Sequence, residues 1–209
     1  MCSGEFEEKD LSSLYTRDGI FFILTGPSGV GKTTVIKKLV ESDPKIRYSI
    51  SHTTREKRSG EVGGEDYYFI SEEEFERKRS RGEFLEWASV FGDYYGTSRE
   101  ELEEAFESGE DLVLDVDVQG ARQIREKSSD ERAAYIFLAP PSKRELIDRF
   151  DSRNTESPEE KEKRMSVADR EMEEVDKFDY LVVNEELEDT MNLIESIVIA
   201  ERCRVASRK

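Results

Sequence analysis

The sequence predicts an α/β fold: a parallel sheet flanked by helices, with a small mixed β insertion and a helical lid attached outside it. Three observations carry this expectation. Ile20-Phe21-Phe22-Ile23-Leu24 is a short, unbroken apolar run, the pattern of a strand buried on both faces, and it leads into the glycine-rich stretch Gly26-Pro27-Ser28-Gly29-Val30-Gly31-Lys32-Thr33. Apolar runs and helical patterns then alternate down the chain, as they do where crossover helices join parallel strands. Two stretches break the alternation: a polar, glycine-punctuated, β-leaning segment over 49–98 and a charge-dominated helical segment over 142–175.

The elements follow in order. A helix is expected from Lys32 to Glu41, with Val35, Ile36, Leu39 and Val40 on one face and Asp43-Pro44 as its stop. Ser49-Ile50-Ser51-His52-Thr53-Thr54-Arg55 is polar and β-leaning, and Tyr67-Tyr68-Phe69-Ile70 reads as a strand beyond turns at Gly60 and Gly63-Gly64. Ser71-Glu72-Glu73-Glu74 is a capping box opening a helix that runs to about Gly82. Phe84-Leu85-Glu86-Trp87-Ala88 and Val90-Phe91 read as short strands, with Tyr94-Tyr95-Gly96 as a turn. Ser98-Arg99-Glu100-Glu101 opens a further helix that Gly109 ends. The parallel pattern returns with a strand over 111–117, a helix over 120–127 and a strand over 133–138 stopped by Pro140-Pro141. Ser142-Lys143-Arg144-Glu145 and Ser157-Pro158-Glu159-Glu160 each start a helix, and the second runs to about Val175. A strand at Tyr180-Leu181-Val182-Val183 and an amphipathic helix from Leu187 to about Arg204 complete the chain.

Bulk properties narrow the function. A chain of 209 residues is long enough for one domain with a sizeable core. The net charge of −17 argues against a nucleic-acid binder, which needs a broad basic footprint, but a local arginine cluster still permits a small anionic substrate. Cys2 and Cys203 form no C-x-x-C or Cys/His cluster, so neither a disulfide framework nor a structural zinc is expected. No apolar run approaches membrane-spanning length, and residues 1–18 are polar and acidic, unlike a leader peptide. The expectation is a cytoplasmic protein, monomer or homodimer, with no nucleic-acid or membrane partner and with residues 1–18 as a flexible extension.

The chemistry starts at the glycine-rich stretch. Gly26, Pro27, Ser28, Gly29, Val30, Gly31, Lys32 and Thr33 spell G-x-x-x-x-G-K-[ST], a phosphate-binding loop between a strand and a helix. Glycines let backbone N–H groups curl around an anion, and the helix N-terminus points its positive end at the same anion. Lys32 can reach the β- and γ-phosphates of a nucleoside triphosphate, the Thr33 hydroxyl can hold Mg²⁺, and Thr34 continues the loop into the helix. Asp115, at the end of an apolar strand, reads as the acidic partner that holds Mg²⁺ through water, and Asp117 shares that work or faces a second ligand. Arg55, Arg58, Tyr67, Tyr94 and Tyr95 could hold a second phosphate. Taken alone, though, the two arginines read more readily as a solvated basic turn. Arg144, Arg149, Arg153 and Arg164 lie among many acids in the lid segment, where most charges sit on solvated faces. Glu86 in an apolar strand is costly unless paired; it could accept two N–H bonds from a guanine edge, or simply face water at a sheet edge. His52, the one histidine, has no Ser or Cys partner and reads as structural.

Together these residues resemble the guanylate kinase family of nucleoside monophosphate kinases, over about residues 19–204. The resemblance is carried by the phosphate-binding loop and by 51–61, Gly64-Glu65-Asp66-Tyr67, Glu86-Trp87-Ala88, Tyr94-Tyr95-Gly96-Thr97, 115–120, Ala139-Pro140-Pro141-Ser142 and Arg153-Asn154-Thr155-Glu156. It implies a P-loop NTPase-type core over 19–48, 99–141 and 176–204, a GMP-binding insertion over 49–98 and a lid over 142–175. It implies Mg²⁺-assisted transfer of the γ-phosphoryl group of ATP to GMP. By position, Arg55, Arg58, Tyr67 and Tyr95 would hold the GMP phosphate, Ser51, Glu86, Thr97 and Asp117 would read the guanine, and Glu61 would belong to the same GMP site. Lys32, Thr33 and Asp115 would serve ATP and Mg²⁺, and Arg149, Arg153 and Arg164 would close on the phosphates. The chain departs from the family's common pattern at Thr33, where serine is usual, at Asn154, where glycine is common, and at Glu56 and Ser59, where prolines often stiffen the loop. The rival implied by the same resemblance is a non-catalytic guanylate-kinase-like module that binds phosphopeptides or partner proteins.

Overall fold

The computed structural model describes residues 19–127, 132–151 and 158–204. Its centre is a five-stranded, wholly parallel sheet in the order β2 (Ile46–Tyr48), β7 (Asp111–Asp115), β1 (Phe21–Thr25), β8 (Ala133–Ala139), β9 (Tyr180–Val183). The helices that connect and cover it are α1 (Lys32–Ser42), α3 (Arg99–Ser108), α4 (Val118–Lys127) and α7 (Leu187–Arg202).

The period-2 alternation of the strands decides which helix each residue meets. Phe22 and Leu24 of β1 join Val113, Ile136, Leu138 and Val182 on the face covered by α1 and α7, through Val35, Ile36, Leu39, Ile194 and Val198. Phe21 and Ile23 point the other way, with Leu112, Leu114 and Tyr135, toward Leu102 and Ala105 of α3 and Ala121 and Ile124 of α4. Each of the larger buried side chains contributes about 1.5–3 kcal/mol, so this double-sided packing fixes β1, and with it the loop that follows.

A second sheet, mixed and four-stranded, has the order β4 (Tyr68–Phe69), β3 (His52–Thr53), β6 (Asp93–Ser98), β5 (Phe84–Val90). One helix, α2 (Glu72–Ser80), packs Phe75 against Phe84 and Tyr94, and its predicted cap is present: Ser71 Oγ accepts from the Glu74 N–H. Outside both sheets lie α5 (Lys143–Asp151) and α6 (Pro158–Met172), joined by the contact of Leu146 with Ala168.

Two expectations are corrected, and one strand is new. Tyr94-Tyr95-Gly96 is strand β6 and not a turn; the turn comes earlier, at Phe91-Gly92, where φ values of 55° and 100° make the two-residue reversal that matches hairpin twist. The expected break between Ala88 and Val90 is absent, because β5 pairs with β6 as far as Val90↔Asp93. The short edge strand β2 carries no sequence signal of its own and is held by pairing with β7.

A buried ion cluster ties the C-terminal helix to the sheet. Asp111, fully buried, accepts from Ile20 N–H at 2.9 Å and from Arg202 Nε at 2.8 Å, and Arg202 also pairs with Asp43 beyond the end of α1. Breaking a buried pair by removing one partner strands the other charge. Arg202→Ala is therefore expected to lower unfolding stability by about 3–5 kcal/mol, read from urea titration. A loss within about 0.5 kcal/mol, the range of an ordinary surface substitution, would contradict this account.

Candidate active site

The glycine-rich loop leaves β1 and enters α1 with three glycines at positive φ: Gly26 at 149°, Gly29 at 82° and Gly31 at 109°. Two of them have no room for a side chain. A Cβ on Gly26 would lie 2.1 Å from the Leu138 carbonyl oxygen, and one on Gly31 would lie 2.5 Å from Asn184 Nδ2. Lys32 Nζ donates to the Gly26 carbonyl at 2.7 Å and lies 3.9 Å from Asp115 Oδ1. Asp115 ends β7 beside the loop, in register with Leu24, and burial raises its carboxyl above the usual range against the opposing pull of Lys32.

The back of the loop is held by Asn184, which local sequence pattern does not single out, and by Arg149, which was expected on the phosphates instead. Asn184, just after β9, donates from Nδ2 to the Val30 carbonyl at 2.7 Å and accepts from Thr190 Oγ1 at 2.9 Å. Arg149 of α5 donates to the same Val30 carbonyl at 3.0 Å and to the Asn184 carbonyl at 2.9 Å. Arg149 thus braces the loop and does not line the cleft in front of it, and Pro27 and Val30 shape the loop without lining the cleft.

That cleft, about 330 Å³, lies between the two sheets and α6. Gly26, Ser28, Gly29, Gly31, Lys32, Thr33, Thr34 and Asp115 line one end. The second sheet supplies the other. Arg55 is held on three sides: Nη2 donates to Glu61 Oε1 at 2.7 Å, Nη1 to the Glu56 carbonyl at 2.7 Å and Nε to Tyr95 Oη at 3.2 Å. Its guanidinium also lies 5.5 Å from the Tyr67 ring centroid. Glu61 closes the turn by accepting from the Arg58 N–H at 2.8 Å, which leaves the exposed Arg58 side chain at the cleft rim. Glu61 is therefore a positioning residue: the turn that looked merely solvated is pinned by a carboxylate.

Deeper in, Glu86 is 4% exposed and accepts a 2.6 Å hydrogen bond from Thr97 Oγ1. Burial pushes its carboxyl up to about 7, against the Thr97 bond that favours the ionised form. Gly120 makes space for it, since a Cβ there would lie 2.5 Å from Glu86 Oε2. Glu86 therefore does not face water. Ser51 and Asp117 line the cleft with it, while Thr97 stands behind. Asp117 Oδ1 caps α4 by accepting from the Gly120 N–H at 2.7 Å.

From the third side, α6 brings Arg164, Val167 and Glu171 to the cleft, and Arg164 Nη1 donates to Ser28 Oγ at 3.3 Å. Arg153 lies outside the described residues. Glu171 went unrecognised in the sequence; its one signal is its position seven residues after Arg164, two turns along the same face. His52 packs at a tilt against the Tyr68 ring and edge-on to Phe84, away from the cleft, and burial lowers its imidazole to about 4, so it is neutral and structural.

Comparison with known proteins gives one answer. A family model described as guanylate kinase matches residues 19–201. The guanylate kinase of Geobacter metallireducens is 45% identical over 188 residues, 90% of this chain and 92% of its own. That of Symbiobacterium thermophilum is 46% identical over 89% of this chain and 87% of its own. The crystal structure of guanylate kinase from Anaplasma phagocytophilum superposes with a TM-score of 0.78 at 37% identity, covering 92% of this chain and 90% of that one. The loop, the clamped arginine and the buried glutamate sit in one cleft of a chain that belongs to the guanylate kinase family.

Proposed function

We propose that this chain transfers the γ-phosphoryl group of ATP to GMP, giving ADP and GDP. The observation that carries the reading is the construction of the cleft: a phosphate-binding loop with Lys32 at one end, and a fixed arginine beside a buried carboxylate at the other. ATP phosphates would lie against the backbone N–H groups of 26–34. The GMP phosphate would lie on Arg55, Arg58, Tyr67 and Tyr95, with its guanine N1–H and N2–H₂ donating to Glu86. An adenine would present an acceptor at N1 to the same carboxylate, an unpaired and costly contact.

The work of the chain is positioning and charge stabilisation. A GMP phosphate oxygen attacks the γ-phosphorus in line, a new P–O bond forms, and the bond to the β–γ bridging oxygen breaks to leave ADP. Lys32 and Arg164 stabilise the negative charge on the equatorial oxygens, while Arg149 keeps the loop in shape. Among the described residues no group of three or more acidic, histidine or cysteine side chains is placed to hold a metal alone. This suits Mg²⁺, which is bound by one or two protein oxygens together with substrate phosphates. Thr33 and, through water, Asp115 would hold it, and it would neutralise phosphate charge. Residues 49–98 and 142–175 act as the GMP-binding insertion and the lid, whose closure excludes water as a competing acceptor.

The test is ADP release by the purified chain with ATP and Mg²⁺ and each of GMP, AMP, UMP and CMP in turn. Turnover stimulated by GMP and not by the other three is expected. An absence of GMP-stimulated turnover would overturn the enzyme in favour of a binding module, and equal rates with AMP would overturn the guanine-reading role of Glu86.

A further inference from the structure

We propose that Gln123 and Lys127 of α4 are positioning residues for Glu86: they hold a bulged stretch of β5 in the arrangement that turns this carboxylate into the cleft. The proposal rests on the reading of Glu86 as the group that meets guanine. In a regular strand, residues two apart share a face. Phe84 faces α2, where it stacks on Phe75, so strict alternation would turn Glu86 toward α2 as well. The pairing with β6 slips instead: Phe84 pairs with Ser98 and Glu86 with Thr97, so Leu85 is an extra residue on β5. Leu85 and Glu86 then both face the core side, Leu85 into the cluster with Ala121 and Ile124 and Glu86 into the cleft, and Trp87 returns to the α2 side beneath Arg79. One inserted residue thus decides on which side of the sheet the carboxylate lies.

A bulge interrupts the ladder, and β5 is also the edge strand of its sheet, with no further strand beside it among the described residues. Side chains of α4 take that place. Gln123 Nε2 donates to the Trp87 carbonyl at 2.6 Å, and Gln123 Oε1 accepts from the Trp87 N–H at 3.4 Å, as a neighbouring strand would. Lys127 Nζ donates to the carbonyl of the bulged Leu85 at 3.0 Å and to Gln123 Oε1 at 3.4 Å. The backbone is therefore held on both sides of Glu86. The same helix carries Gly120, whose lack of a side chain leaves room for Glu86 Oε2, and positions 120, 123 and 127 form one stripe at helical spacing. Packing alone does not require these polar contacts. Leu85 with Ala121 and Ile124 already joins strand to helix, and the charged pair Arg122 and Glu126, off the stripe, meets in solvent. The Lys127 ammonium also favours the ionised form of Glu86, the form that accepts from a guanine edge.

The experiment measures kcat/KM with GMP and with inosine monophosphate, whose base keeps N1–H but lacks the 2-amino group, together with KM for ATP. It compares the unaltered full chain with Gln123→Met, Lys127→Met and Lys127→Arg. The unaltered chain should favour GMP by roughly 10- to 100-fold, the scale of one hydrogen bond to a charged group. The two Met variants keep the length of each side chain and remove its hydrogen bonds. Each should lower that preference by about 3- to 10-fold, the effect of a slightly misplaced carboxylate, and leave KM for ATP within about twofold. Lys127→Arg, which still donates to the Leu85 carbonyl, should retain most of the preference. A general loss of folding lowers both rates and leaves their ratio where it was. An unchanged ratio in both Met variants, or a ratio that falls as far in Lys127→Arg as in Lys127→Met, overturns the positioning role and leaves the GMP site standing. No preference for GMP in the unaltered chain, or no turnover of GMP, overturns the base-reading role of Glu86 and this proposal with it.

Discussion

Lys32→Ala is expected to lower kcat by roughly 10³-fold and to leave GMP affinity within about threefold, with turnover read by ADP release and binding by calorimetry. The asymmetry follows from where Lys32 stands. Its ammonium is bonded to the loop carbonyl of Gly26 and faces Asp115, whereas on the proposed reading the acceptor phosphate would lie at the other end, on Arg55 with its Glu61 and Tyr95 braces. On the proposed reading, removing Lys32 would take away positive charge where negative charge moves from the γ-phosphoryl group to the leaving oxygen, and Arg164 alone would not make up the loss. Arg164 approaches the loop from α6, through Ser28 Oγ, whereas Lys32 is part of the loop itself. A variant that lost GMP affinity in proportion to kcat would mean that Lys32 serves both phosphates, and the division of the cleft into two halves would be wrong.

Much of the fold and of the cleft is legible in the sequence, and what is not has physical reasons. A sheet strand followed by G-x-x-x-x-G-K-[ST] is a local pattern, and the positive φ values of Gly26, Gly29 and Gly31 are the backbone that such a pattern requires. The alternation of Phe21 and Ile23 with Phe22 and Leu24 could be read as a two-faced strand, and the structure covers each face with different helices. Tyr94-Tyr95-Gly96 follows Gly92-Asp93 closely, and sequence cannot say which of the two glycines carries the reversal that the structure puts at Phe91-Gly92. The braces were out of reach for another reason. Asn184 and Arg149 meet at Val30 across 154 and 119 residues, and Arg202 meets Asp111 across 91, so no local spacing announces them. Glu86 was ambiguous for the same cause: its partner Thr97 and the space left by Gly120 come from two other elements. Reading the edge of a base with a carboxylate is chemistry that the sequence suggested, but the burial that makes it costly and selective is a property of the fold.

That burial leads to the second large effect, in which stability and selectivity move in opposite directions. The Glu86 carboxyl sits at about 7 in the folded chain against a usual value near 4.5, with desolvation as the main cause. Between those two values the unfolded chain has released its proton and the folded chain keeps it. The folded state therefore binds more protons, and stability falls as pH rises through the window. Above about pH 7 the full cost of burying the charge, on the order of 3 kcal/mol, has been incurred. Glu86→Gln removes the titrating group and still offers an oxygen to the Thr97 hydroxyl. Its melting temperature should match that of the unaltered chain near pH 4.5 and exceed it at pH 8 by roughly 5–10 °C, the scale expected for a chain of this size. Taking the difference between the two chains at each pH isolates Glu86 from the other carboxylates in the cleft. The same change should lower kcat/KM for GMP by about 10²- to 10³-fold, because an amide N–H₂ would then face a guanine N–H. In the unaltered chain, GMP affinity should rise as pH approaches 7 and then level off, since the ionised form is the acceptor of both guanine bonds. A melting difference that did not vary with pH would show that the carboxyl is not buried as described, and a variant that kept its preference for GMP over AMP would move the reading of the base to other residues.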